Sequence, residues 1–408
     1  MGTGWKRPWP VRPGMGFFEW PASGVAAVFV FVVRTITRCG RCSMTASFAS
    51  TDSTCSTCIL EFATPDSDAV QCFQAFVTTA NECAALRLLT IKVRNLCLAF
   101  EREEWSGYRT KIVRALCLLL KWQPMLQEAD FYSCQFTHNE GLQVLKAVTG
   151  DLRLKTRRNI TTMIIREFFE RNTDISLRTF TEVMGRFSAL AFLRLDQHYL
   201  CDAVLDKLIT GCAQTLRHLD IVLNTTVVHA IDSHTWSLAV QRCPSLTVTV
   251  RLHEAFTFED YSRVLVASMP LTRVILRGRS VVGDIIFTDA ARFLRYVFDI
   301  FFKTIEVVGV KAYRLLKVDD DVEGYMEVDE AVMKLVETCV RLKRLLLSIP
   351  LVPETLDKLS RVPAARLQNE MKRLEVKVLG ENMSADNIQE RWPALRALSP
   401  RELRFDDF

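Results

Sequence analysis

The sequence predicts an α/β solenoid, a curved parallel sheet on the concave side with helices on the convex side, and three observations carry that reading. An aliphatic formula recurs along the chain, its copies are spaced almost evenly, and the stretches between copies switch from a two-residue to a 3.6-residue apolar period.

The formula is L-x-x-L-x-L with aliphatic substitutes. It reads Leu86-x-x-Leu89-x-Ile91, Leu190-x-x-Leu193-x-Leu195, Leu216-x-x-Leu219-x-Ile221, Cys243-x-x-Leu246-x-Val248, Leu271-x-x-Val274-x-Leu276, Phe302-x-x-Ile305-x-Val307, Leu342-x-x-Leu345-x-Leu347 and Met371-x-x-Leu374-x-Val376. From residue 190 the steps between copies are 26, 27, 28, 31, 40 and 29 residues, and the long one holds an insertion. One copy closes on Asn224, three positions after Ile221, and matches the leucine-rich-repeat formula throughout. Residues 96–189 fit least well: Leu126-x-x-Ala129-x-Phe131 is one unit, whereas Met163-Ile164-Ile165 follows no clean formula.

Between copies the apolar residues fall on one helical face, as Val204, Leu205, Leu208 and Ile209 do after Asp202, and Val332, Leu335 and Val336 after Glu330. Each unit is then helix, turn, strand. No unit buries its apolar face alone, so neighbours must stack, strands on the inside of the curve and helices on the outside. The expected division is an irregular leader over 1–68, a solenoid over 69–400 and a tail over 401–408.

Trp, Pro and Gly crowd the first 24 residues of that leader, and Ser, Thr and Cys crowd 43–58. Basic residues followed by the apolar run from Val25 to Val33 resemble a signal sequence in layout, but the run is too short to span a bilayer. Cys39-x-x-Cys42 and Cys55-x-x-Cys58 have a spacing that could gather four thiolates around zinc, set against incidental cysteines in simple sequence.

A net charge of +5, from 52 basic and 47 acidic residues, is too small an excess to predict a nucleic-acid partner. No membrane association is expected. Most of the 13 cysteines sit in apolar stretches, where a thiol acts as a small hydrophobe, so a reducing compartment, cytoplasmic or nuclear, is expected. No phosphate-cradling glycine loop, nucleophile elbow or paired histidine motif occurs, so neither an enzyme nor a cofactor is predicted. Asp319, Asp321, Glu323, Gly324 and Glu330 have calcium-loop spacing, but the simpler expectation is an acidic insertion loop before a helix.

Strand alternation selects the side chains expected on the concave face: Arg194, Asp196, His218, Asp220, Thr247, Thr249, Arg273, Arg277, Glu306, Arg344, Arg373, Glu375 and Lys377. Arginine is the commonest type among them. Its planar fork suits carboxylates, so the expected partner is a protein presenting an acidic segment.

The stretch from about 175 to 378 resembles the F-box only proteins with degenerate leucine-rich repeats, F-box only proteins 33 and 39 in particular. The likeness runs through Asp202-Ala-Val-Leu-Asp-Lys-Leu208, Leu216-Arg-His-Leu-Asp-Ile221, Trp236-Ser-Leu-Ala-Val-Gln-Arg-Cys-Pro-Ser-Leu246 and Met269-Pro-Leu-Thr-Arg-Val-Ile-Leu276. The resemblance implies a substrate-recognition adaptor whose helical F-box binds Skp1 and, through it, a cullin-based ubiquitin ligase. Residues 1–75 depart from that pattern, with no Leu-Pro start, aliphatic run and terminal Trp in order. A repeat scaffold without ligase recruitment is the alternative.

Overall fold

A computed structural model of the chain describes residues 27–36, 41–51, 54–62, 88–99, 106–150, 159–170, 176–224, 229–253, 258–277, 287–311, 322–349, 351–368, 375–378 and 396–397. One sheet runs through it in chain order. Its strands are β1 (Ala27–Ile36), β2 (Arg41–Thr51), β3 (Thr54–Phe62), β4 (Thr90–Arg94), β5 (Glu128–Tyr132), β6 (Thr162–Ile165), β7 (Phe192–Asp196), β8 (His218–Leu223), β9 (Thr247–His253), β10 (Leu271–Arg277), β11 (Val307–Lys311), β12 (Arg344–Ser348), β13 (Glu375–Val378) and β14 (Arg396–Ala397). From β3 to β14 every neighbouring pair is parallel.

The connections carry helices α1 (Ser106–Lys121), α2 (His138–Thr149), α3 (Leu177–Met184), α4 (Asp202–Gly211), α5 (Ser233–Arg242), α6 (Phe258–Val264), α7 (Phe287–Phe301), α8 (Val322–Thr338) and α9 (Pro353–Gln368). A helix is roughly 10 Å wide and parallel strands lie about 4.8 Å apart, so stacking one helix per strand lengthens the helix side and curves the sheet. The repeat solenoid predicted from the aliphatic formula is the observed fold.

Leu193, Leu195, Leu219, Ile221, Leu246, Val248, Leu345 and Leu347, the residues that define the formula, are all buried in one continuous core. Register aligns them: Leu193, Leu219, Val248 and Leu271 form one row across β7–β10, and Leu195, Ile221, Val250 and Val274 the next. Helix-to-strand turns repeat as well. The Cys212, Cys243 and Cys339 amides close their helices on Leu208, Ala239 and Leu335, and the following leucines, Leu216, Leu246 and Leu342, donate back to the same cysteines' carbonyls. These buried thiols fill the turn as small hydrophobes.

Two expectations need correction. First, the segment expected to be irregular holds β1–β3, with β1 antiparallel to β2 and β2 to β3. Its valine, phenylalanine and threonine content suits extended pairing, which outweighs the turn-like composition around it. The signal-like run is thus largely β1. In the same segment, Cys42 stands opposite Thr35, while Cys55 stands opposite Ser50, eight residues along β2 from Cys42. Eight extended residues span about 27 Å, so these two cysteines cannot share one zinc ion. Cys58 pairs with Phe48, and Cys39 lies outside the described residues.

Second, the calcium-loop spacing falls on α8, so Glu323, Gly324 and Glu330 lie within a helix and cannot wrap a cation as a loop. Asp319 and Asp321 lie outside the described residues. The stretch without a clean formula continues the sheet through β5 and β6, in register from Ala129 to Met163 to Leu193. Behind it, Phe131, Phe136, Phe168, Phe169, Phe180 and Tyr199 stack mostly edge to face at 4.8–6.1 Å. Aromatic packing there does the work that leucines do elsewhere.

Candidate functional site

With the leucine rows packed against helices, the intervening residues project from the sheet's other face in rows, of which one, Thr90, Glu128, Thr162, Phe192, His218 and Thr247, spans β4–β9 and three more follow it. The first of these three runs Lys92, Asp130, Ile164, Arg194, Asp220, Thr249, Arg273, Val307, Arg344 and Glu375 from β4 to β13. The second, two residues along, runs Asp196, Val222, Arg251, Ile275, Gly309, Leu346 and Lys377. The third begins at His253 and continues through Arg277, Lys311 and Ser348.

Over β4–β9 the charges of this face bind one another. Lys92 meets Glu128 at 3.2 Å, and the nearly buried Asp130 accepts from Arg94 at 2.9 Å. Burial raises the Asp130 carboxyl above its ordinary value, with Arg94 pulling the other way. Asp220, 1% exposed at its side chain, accepts from Arg194 Nε at 2.8 Å and from Arg251 Nε at 3.0 Å. Burial lowers the Arg251 guanidinium from its usual value; Asp220 opposes this, and the nearby Arg194 and Arg166 add to it. Arg166 in turn approaches His253 Nδ1 at 3.3 Å and sits over the Tyr132 ring.

His218 lies between two threonines, with Nδ1 at 2.8 Å from Thr247 Oγ1 and Nε2 at 3.2 Å from Thr249 Oγ1, and Phe192 stacks on its ring. Burial holds the imidazole below its usual value, as do Arg273, Arg194 and Arg251, against the pull of Asp220. It is therefore a neutral hydrogen-bonding group at physiological pH.

Several residues expected on the open face have other duties. Asp196 is fully buried: its Oδ2 accepts the Glu167 amide at 2.6 Å and its Oδ1 accepts Asn224 Nδ2 at 3.0 Å, clamping three successive units. Arg194 and Asp220 belong to the ion triad just described. Glu306 precedes β11 and lies out of row, because Arg273 pairs with Val307; it binds Arg341 and Lys343 instead. The cause is the placement of the formula: the fully buried residues are Ile305, Val308 and Val310, so this copy reads Ile305-x-x-Val308-x-Val310, three residues later than Phe302-x-x-Ile305-x-Val307, and Val307 takes the open face. Thr249 is buried and Thr247 half-buried. Arg273 and Arg344 are exposed and Arg277 half-buried, all on this face. Glu375 and Lys377 lie in β13 opposite Arg344 and Leu346, and Arg373 lies outside the described residues.

Sequence reasoning missed Arg251, Arg94, Asp130 and the apolar pair Ile275 and Leu346. Carrying the two-residue alternation through and past each formula copy, from Ile91 to Arg94, from Val248 to Arg251 or from Val274 to Ile275, would have found all five. Ile275 and Leu346 form a small apolar cluster separate from the main core. Between them stands Gly309, and a Cβ there would lie 3.4 Å from Ile275, so the missing side chain leaves Ile275 room to lean toward Leu346.

Among the described residues, no helix is long and apolar enough to cross a membrane, and no group of three or more potential ligands could hold a metal ion. No known protein-family profile matches the chain. Among solved structures it is similar to the leucine-rich repeat-containing protein LegL7 from Legionella pneumophila, at 12% identity over 76% of this chain and 82% of that one, with a TM-score of 0.32. It is also similar to TLR13 in its complex with ssRNA13, at 13% identity over 79% of this chain and 41% of that one, with a TM-score of 0.34. The fold assignment rests on this chain's own strand order, register and buried leucine rows, which are those of a leucine-rich-repeat solenoid.

Proposed function

We propose that this chain is a non-enzymatic recognition module that holds a protein partner against the open face of its sheet. The observation that supports this reading most is the division of labour across the sheet. One side is sealed by helices over a continuous core, and the other presents charged and polar rows from β4 to β13. Such a platform offers many side chains in fixed register, and a partner can be read along it without moving the scaffold. A bulky substitution in its middle, Thr247→Trp, tests the reading: it should abolish partner recovery while leaving the circular dichroism spectrum unchanged. Retained partners would move recognition to the helices or loops.

The finer role is substrate-recognition adaptor of a Skp1–cullin ubiquitin ligase, with the repeats choosing the substrate. It rests on the resemblance of residues 175–378 to repeat-bearing F-box only proteins. The alternative, a scaffold without ligase recruitment, is favoured by the strands at 27–62, where that resemblance implies a helical bundle. Co-purification of Skp1 with the full chain separates the two: stoichiometric Skp1 supports the adaptor, and none supports the scaffold.

A further inference from the structure

The sheet ends differently at its two sides. Its last strand, β14, is two residues long, whereas its first, β1, extends over ten. β1 pairs with β2 along one edge, antiparallel from Ala27 opposite Ser50 to Ile36 opposite Arg41, and among the described residues no strand pairs with its other edge. That edge presents a row of backbone N–H and C=O groups in position for one more strand. Folded monomers guard long edges with charges, prolines or bulges, and Ala27–Val33 has none of these. It consists of Ala, Val and Phe alone, and its pairing with β2 runs without a register shift.

We propose that β1 is the contact edge of a homodimer, in which β1 of a second copy pairs with it antiparallel about a two-fold axis perpendicular to the sheet. The strand's own sequence selects a second copy as the occupant. Such an axis keeps the two faces of the sheet distinct, so each residue meets one of the same parity, and the longest overlaps, nine of the ten residues, centre on Phe31 or on Val32. Either overlap sets phenylalanine and β-branched residues opposite one another, the cross-strand pairs that favour a sheet. Arg34, the one charged residue of β1, stands opposite Val28 of the second copy in the first overlap and opposite Val30 in the second, so like charges do not meet. Parallel in-register pairing would align Arg34 with itself. The antiparallel join also places the open faces of both copies on the same side of the sheet.

Analytical ultracentrifugation of the full chain tests this with two double variants, Val30→Lys with Val32→Lys and Val30→Glu with Val32→Glu. Within one chain these positions stand opposite Ser47 and Thr45 of β2, so the new charges meet none across the hairpin. Across the two-fold, positions 30 and 32 face each other in the first overlap and position 32 faces itself in the second, so each variant sets like charges together. The wild-type chain should sediment as a dimer at micromolar concentration. Each double variant should weaken self-association by at least about tenfold. An equimolar mixture of the two should restore the dimer, because lysine then faces glutamate. A monomeric wild type overturns the dimer, and variants that associate as tightly as wild type, or a mixture that stays monomeric, overturn β1 as its contact edge. Growth beyond two copies overturns the closed two-fold pair.

Discussion

Strands β4–β9 and β10–β12 share one backbone plan and one buried leucine layer, yet their open faces are built on opposite terms. In the first region cations and anions alternate across neighbouring strands, as Arg194, Asp220 and Arg251 do, and the charges are consumed within the fold. The strands of the second region carry only cations, with Arg273 and Arg344 exposed and Glu375 of β13 opposite Arg344. A repeat protein thus separates two properties that a globular core mixes: the helix-facing rows set stability, and the open rows can vary from strand to strand at little structural cost.

The sharpest way to break this comparison is to remove the shared anion. Asp220→Ala leaves Arg251, only 5% exposed at its side chain, without its carboxylate, and should cost about 3–5 kcal/mol in a denaturant melt. A loss under about 1 kcal/mol would mean that the triad is solvated and the two regions differ less than their packing implies. The leucine layer should be indifferent to the boundary. Leu219→Ala in β8 and Leu345→Ala in β12, both fully buried, should each cost about 2–5 kcal/mol. A large gap between them would show that the two regions also differ in their cores.

Buried charge in the second region lies behind the sheet instead. Asp329 of α8 accepts the Val352 amide at 3.3 Å, just before α9, and burial pushes its carboxyl up to about 6. Because the folded value exceeds the unfolded one, the folded state holds the extra proton between roughly pH 4 and 6, and stability falls as pH rises through that window. Asp329→Asn keeps an acceptor for the amide and removes the ionised form. It should stabilise the protein by about 1 kcal/mol at pH 7 and have little effect at pH 4, which paired melts at the two pH values would show. The smallest effect belongs to Arg273→Ala. As an exposed side chain it should alter stability by less than about 0.5 kcal/mol, so that any binding change it causes reads recognition directly.

The fold was legible from residue 190 onward because the formula samples the two periodicities that burial imposes, and every leucine it selected there among the described residues is in the core. Between 96 and 189 it was less so. There the strand-to-strand step reaches 38 residues, from Thr90 to Glu128, and aromatic rings replace the leucines that the formula counts. The open face was legible as parity but not as pairing. Alternation placed Arg194, Asp220 and Arg273 on it correctly, while a formula copy set three residues early put Glu306 in the row that Val307 occupies.

By itself, the sequence determined the repeat, the order of the strands in the solenoid and which side of most of them is buried, because those follow from local period and from the need of each unit to cover its neighbour's apolar face. Only the tertiary structure decided which charges meet. Arg194, Asp220 and Arg251 are 26 and 31 residues apart in pairs, and their contact depends on the relative register of three strands. A shift of one residue, as occurs at β10, turns a side chain from one face to the other. Spacing along a chain encodes the faces of its elements. The alignment between elements is set by packing of the whole stack.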